Sequence, residues 1–265
     1  MMEKLYVIKI GGNVLDNEAK LASFLKDFAS IQAPCMLVHG GGKIATRIGE
    51  QLGIESKYVE GRRITDDATL KLVTMVYGGL VNKQLVAQLQ SLGCNAIGLT
   101  GADGNLLPAN RRPVKTIDYG WVGDVRHNEV PGEKLQALLQ MGLVPVFAPL
   151  THDGQGHMLN TNADTIASSL AVALAGLYDV RLIYCFENKG VLLDVNDDHS
   201  VVRNMNPEVY ESLKAAQKLF AGIIPKIDNA FDAMAKGVKE VLIGHAEDLL
   251  QNLTETTTGT LISKD

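Results

Sequence analysis

Short apolar runs rich in Val, Ile and Leu alternate along the chain with stretches whose apolar positions recur at helical spacing. Runs at 5–10, 35–38, 96–99, 144–148, 181–186 and 240–243 predict strands. Helical patterns lie near 17–30, 43–53, 66–91, 132–141, 163–176, 206–220 and 226–237. Strands that are apolar throughout must be covered on both faces, and helices between them supply the cover. The pattern therefore predicts an α/β fold, a three-layer αβα sandwich around a mainly parallel central sheet. Two stretches alternate in polarity around glycine instead, YVEGRRIT (58–65) and PVKTIDYGWVGDV (113–125), and predict hairpins. The Pro/Gly-rich passage APLTHDGQGHM (148–158) is the predicted boundary between two lobes, 1–150 and 151–265. The helix near 66–91 carries Gly78-Gly79 in its interior, where each glycine costs ~1 kcal/mol against alanine. The pair signals either close packing against another backbone or a break between two helices.

Composition narrows the partners. The chain has 265 residues, 46% of them apolar, and a net charge of −5, which argues against nucleic acid or an anionic membrane surface. Cys35, Cys94 and Cys185 are widely spaced, form no CxxC, and suit a reducing compartment. The start MMEKLYVIKIGG lacks a signal-peptide apolar run, and no segment reaches ~18 apolar residues, so a cytoplasmic, soluble protein is expected.

Five stretches carry candidate chemistry. In VIKIGGN, Lys9 lies within a predicted strand and Gly11-Gly12 follow at its carboxyl end, where open α/β sheets gather ligands. The alternative is an edge lysine reaching for water before an ordinary turn. LVHGGGKIATRIG places three glycines before a helix without matching GxxxxGK[ST] or GxGxxG. The free N–H groups at that helix start favour an anion; His39 reads as structural. GRRIT (61–65) offers a guanidinium for a carboxylate, against the reading of two solvated arginines. In LNTNADTIASSLAVALAGL, Thr161 and Asp164 have capping-box spacing, which leaves Asn160 unexplained. In GIIPKIDNA, Pro225 is expected at the first helical position with Lys226 behind it, a cation set against the helix dipole. HExxH, GxSxG and clusters with metal-ligand spacing are absent.

Taken in order, KIGGN, VHGGGK, GRRIT, MVYGGLVNKQLV, GLTGADGN, GWVGDV, LNTNAD, GIIPK and GTLI resemble the amino acid kinase family, within it the members that phosphorylate N-acylated glutamate. The resemblance implies transfer of the ATP γ-phosphoryl group to the side-chain carboxylate of an N-acyl-L-glutamate, with Mg²⁺, in arginine biosynthesis. It makes Lys9 and Lys226 the neutralisers of phosphoryl charge and Asp164 the residue that orients them. Gly41 and Gly42 would hold the substrate end, with Gly11 and Gly12 opposite. Arg63 would clamp the α-carboxylate and Asn160 the acyl-amide region. The resemblance places the acyl substrate and a dimer interface in the N-terminal lobe and ATP in the C-terminal lobe. Three departures lie in the nucleotide half: Glu187 replaces the family's usual aspartate, and Ala221 and Ile223 replace a GGM-like run. The chain starts almost at its first strand, without the extra N-terminal helix of the family's arginine-inhibited hexamers, so the resemblance implies an arginine-insensitive homodimer, with the Gly78-Gly79 helix helping to form its interface. Three alternatives stay open: another carboxylate or carbamate kinase on the same fold, a larger acyl group such as succinyl, and a non-catalytic sensor of amino acid or nucleotide.

Overall fold

The computed structural model describes residues 2–194, 196–220 and 222–264; Ala221 lies outside them. Eight strands form the main sheet: β1 (Lys4–Ile10), β2 (Cys35–His39), β3 (Ala96–Leu99), β4 (Val144–Phe147), β5 (Asp179–Phe186), β6 (Asn204–Met205), β7 (Glu240–His245) and β8 (Thr260–Ile262). Their spatial order is β6-β8-β7-β5-β1-β2-β4-β3, so β1 is central and its neighbours β5 and β2 run parallel to it. The β7–β8 pair is antiparallel; the other pairs are parallel. All six predicted strands are present. The two that the apolar pattern does not show, β6 and β8, are two and three residues long and lie at one edge.

The pleat divides the apolar residues between two cores. On β1, Leu5 and Val7 enter one core, while Tyr6, Ile8 and Ile10 enter the other. The first core is closed by the helices Ala163–Leu174 and Ile224–Ala235, whose Ile166, Leu170, Ile227 and Ala230 are buried there. The second is closed by Glu18–Ala29 and the long helical run from Asp67 to Ser91. This is the predicted αβα sandwich. All three cysteines are free and buried, and burial pushes the Cys35 and Cys185 thiols up to about 12. Among the described residues, no helix is long and apolar enough to cross a membrane.

Several local readings need correction. The first hairpin forms as expected, Tyr58–Val59 against Arg62–Arg63. The second pairs Ala109–Arg111 with Gly123–Val125, so most of 113–125 is its connecting loop. The passage 148–158, the predicted lobe boundary, holds a further hairpin, Leu150–His152 against Met158–Asn160, with Gly154 and Gly156, both at positive φ, in its turn. The helix near 206–220 stops at Ala215. The long helix does not break at Gly78-Gly79: it continues through a π-helical stretch, Thr74–Val81. A Cβ on Gly78 would come within 3.3 Å of a Leu150 methyl, so a side chain, not a backbone, is the close neighbour, while Gly79 faces open space.

Candidate active site

Strand alternation decides where Lys9 points. Following Leu5 and Val7, it belongs to the face covered by the helix Ala163–Leu174. That helix is capped by Asn162, whose Oδ1 accepts from the backbone N–H groups of Asp164 (2.8 Å) and Thr165 (3.1 Å). The expected capping box with Thr161 does not form; the Thr161 hydroxyl lies 2.7 Å from that of Thr151. Asp164 is therefore free of capping duty. Its Oδ1 lies 2.7 Å from Lys9 Nζ, and its Oδ2 accepts a hydrogen bond from Lys226 Nζ at 2.7 Å. Lys226 arrives from the start of Ile224–Ala235, with Pro225 at the second helical position, not the first. It also sits 5.5 Å from the centre of the Phe186 ring.

Burial pushes the Asp164 carboxyl up, but the two ammonium groups more than offset it and hold the pKa at about 2. The carboxylate is thus ionised at any ordinary pH. Two cations against one anion leave one positive charge in excess, set at a helix N-terminus that also favours an anion.

Both glycine turns leave the carboxyl ends of adjacent central strands, Gly11-Gly12 after β1 and Gly40–Gly42 after β2. They touch: the Gly40 N–H donates to the Ile10 carbonyl (3.2 Å), and the Cβ direction of Gly40 reaches within 3.8 Å of the Gly12 nitrogen. Each turn opens a helix, Gly12–Leu15 and Gly42–Gln51, whose first N–H groups have no intrahelical acceptor. Gly41 has φ +147°, and a Cβ there would meet the Tyr77 ring at 3.0 Å, so only glycine fits. The turn is held from behind by His39, which is fully buried. One ring nitrogen, Nδ1, lies 2.6 Å from the Gly40 carbonyl and Nε2 lies 3.2 Å from the Asn82 amide nitrogen. This pairing fits the neutral tautomer in which Nδ1–H donates. Burial is the main cause that lowers the His39 pKa to about 4, so the ring is an uncharged strut, as read from the sequence.

A cavity of about 240 Å³ opens beside the second turn. Gly41, Gly42, Arg63 and Asn160 all line it, together with Tyr58 and Tyr77. Arg62 is exposed, whereas Arg63 is buried, so the solvated reading holds for only one of the pair. Arg63 Nη2 donates to the Gly42 carbonyl (2.8 Å) and the Thr46 hydroxyl (2.9 Å), and Nη1 donates to Ser56. Tyr58 stacks on the guanidinium at 4.8 Å. Asn160 donates to the Thr65 hydroxyl at 3.0 Å. The cavity and the lysine cluster are adjacent in the chain, since Ala163 lines the cavity and Asp164 follows it. Lys9, Lys226 and Asp164 form one group; Gly41, Gly42, Arg63 and Asn160 form another around the cavity, and Gly11 and Gly12 adjoin it through Gly40 without lining it.

The profile of the amino acid kinase family matches residues 4–245. The chain belongs to that family. It is 58% identical over 258 residues to an acetylglutamate kinase of Cytophaga hutchinsonii, covering 97% of each chain. It is 54% identical over 264 residues to an acetylglutamate kinase of Phocaeicola vulgatus, covering 100% of both. Among solved structures, the N-acetylglutamate synthase of Neisseria gonorrhoeae, with coenzyme A and N-acetyl-glutamate, superposes with TM-score 0.81. That likeness is at 24% identity and covers 99% of this chain and 60% of the other. The carbamate kinase of Giardia lamblia bound to AMP-PNP superposes with TM-score 0.73 at 14% identity, covering 99% of both. These two likenesses carry the amino acid kinase fold.

The supports of the site are the part not read from sequence. Asn162 stands in the first turn and has the residue type preferred at a helix start, so the signal for it exists beside Thr161. Ser56, Thr46, Tyr58 and Tyr77 leave no such signal, because each reaches Arg63 or Gly41 only across a loop or a helix face.

Proposed function

We propose that this amino acid kinase transfers the γ-phosphoryl group of ATP to the side-chain carboxylate of N-acetyl-L-glutamate. The observation that carries the reading is the Lys9–Asp164–Lys226 cluster, with one positive charge in excess, next to a cavity holding a buried arginine. The relatives named acetylglutamate kinase, at 54–58% identity over nearly the whole chain, support N-acetyl-L-glutamate as the substrate.

The chemistry follows from the charges. A carboxylate is ionised at neutral pH, so the acceptor needs no general base. One of its oxygens attacks the γ-phosphorus, the bond to the β–γ bridging oxygen breaks, and an acyl phosphate and ADP result. Catalysis then depends on positioning and on stabilising charge on the transferring group. Lys9 and Lys226 meet that charge from two sides, and Asp164 aims both. Gly41 and Gly42 present N–H groups to the acceptor end, and Gly11 and Gly12 do so to the phosphoryl group. Arg63 has donors left after its bonds to Gly42, Thr46 and Ser56, and these take the α-carboxylate. Asn160 meets the acyl amide. Mg²⁺ comes with the nucleotide, because it keeps much of its water and is held largely by phosphate oxygens. Both Asp164 oxygens are already engaged by ammonium groups, which leaves the ion to those phosphates.

The lobe assignment has support in the sheet order. Strands β1–β4, all before residue 150, form one half of the sheet, and β5–β8 form the other. The first half would bind the acyl substrate and the second ATP. A homodimer is proposed through the long helix, whose Met75 and Leu80 are exposed and whose Gly79 allows close approach.

ADP release on mixing with ATP, Mg²⁺ and a panel of N-acyl-L-glutamates tests the reading. N-acetyl-L-glutamate should support turnover with the highest kcat/KM. A preference for the succinyl compound would change the acyl group only. No turnover with any acceptor, despite nucleotide binding, would favour a sensor and contradict the proposal.

A further inference from the structure

Lys43 is absorbed by none of the roles above, yet it spans the two glycine turns. It occupies the second position of the helix Gly42–Gln51, where a cation opposes the helix dipole. The side chain is 69% exposed, yet its ammonium meets two partners across the turns. Its Nζ donates to Asn13 Oδ1 and lies 3.6 Å from Asp16 Oδ2. Both partners belong to the short segment that follows the other turn: Asn13 lies within the one-turn helix Gly12–Leu15, and Asp16 caps its end.

The Asp16 carboxylate has an awkward place for a phosphate-binding turn. Its Oδ2 lies 3.7 Å from the Cβ direction of Gly12, and its backbone N–H donates to the Gly12 carbonyl at 2.8 Å. A carboxylate fixed this close to Gly12 repels an arriving phosphate. The backbone bond holds the residue beside Gly12, and the charged group the structure sets against its carboxylate is the Lys43 ammonium at 3.6 Å.

We propose that Lys43 is a positioning residue for nucleotide phosphate: it cancels the Asp16 charge beside Gly12 and ties the second glycine turn to the first. The inference rests on the phosphoryl-transfer reading, in which Gly11 and Gly12 face the transferring group. Lys43 acts through Asp16 and Asn13, not on the reacting atoms. Its charge is required and its length less so.

The test is a charge rescue. In the wild-type chain, Mg²⁺·AMP-PNP affinity by calorimetry and kcat/KM for ATP with N-acetyl-L-glutamate set the reference. Lys43→Met should weaken both about tenfold, chiefly through the Kd for nucleotide and the KM for ATP, with kcat for saturating substrates little changed. Lys43→Arg should hold within about threefold of wild type. Adding Asp16→Asn to Lys43→Met should recover most of the loss, because the uncompensated charge is gone. A purely structural tie would not be repaired by that second change. The inference is overturned if Lys43→Met binds nucleotide as wild type does, or if Asp16→Asn deepens its defect. Nucleotide binding without turnover in wild type would fault the acceptor reading while the rescue still decides the role of Lys43.

Discussion

His39 and Asp164 show how one buried titratable residue can stay neutral while another stays charged. Asp164 is kept ionised by two ammonium groups, which hold its pKa at about 2 against the push of burial. His39 is kept neutral by burial, with a pKa of about 4 against an ordinary 6.5. Its folded pKa lies below its unfolded one, so it contributes stability above pH 6.5 that is lost as pH falls towards 4. The linkage amounts to about 3 kcal/mol over that window. Denaturant unfolding at pH 7 and pH 4.5 should therefore show a larger drop for wild type than for His39→Gln, which has hydrogen-bonding groups but no proton to gain. Equal drops would mean that the ring is already charged or exposed. The residues legible in the sequence were those with a local signature: Lys9 before a diglycine, Lys226 behind a proline, Arg63 beside a hairpin. Tyr77 was not legible, because its ring matters only through Gly41, thirty-six positions away in the chain and 3.0 Å away at the Cβ direction.

At the scale of elements, the start of Ala163–Leu174 does most to place the site. Asn162 caps it, and that cap sets the turn in which Asp164 meets both lysines. Asn162→Ala should cost about 1 kcal/mol of stability and lower kcat, whereas Asn162→Asp should retain both. Thermal melts with parallel ADP-release assays check this; an unchanged melting temperature in Asn162→Ala would show that the cap is not needed. The central strands were legible because they are buried on both faces and read as unbroken apolar runs. The edge strands β6 and β8 are too short for any period, and each finds its partner only in the folded sheet. The hairpin at 150–160 was not legible because its Pro/Gly-rich composition reads as a connection between lobes, and glycines at positive φ serve a connection and a tight turn alike. The π-helical stretch has no counterpart in apolar periodicity, which runs through it unbroken.

At the scale of the molecule, the arrangement joins two half-sheets at β1 and β5, and the reacting group is proposed to sit over that seam. Lys9 comes from one half, and Lys226 and Asp164 from the other. Sedimentation should give twice the 28.6 kDa chain mass if the long helices pair, and Met75→Asp should halve it; a monomeric wild type would reject the dimer. The fold was readable because the strands of its mainly parallel sheet alternate with helices along the chain, while Lys9 and Lys226 come together only through Asp164, far from both in sequence. The most direct test is the kcat of purified Lys9→Ala and Lys226→Ala at saturating ATP, Mg²⁺ and N-acetyl-L-glutamate, with thermal melts alongside. Each should fall about 10²–10³-fold with folding retained, the loss typical of removing one donor aimed at developing charge. Turnover within about threefold of wild type in either folded variant would contradict the account.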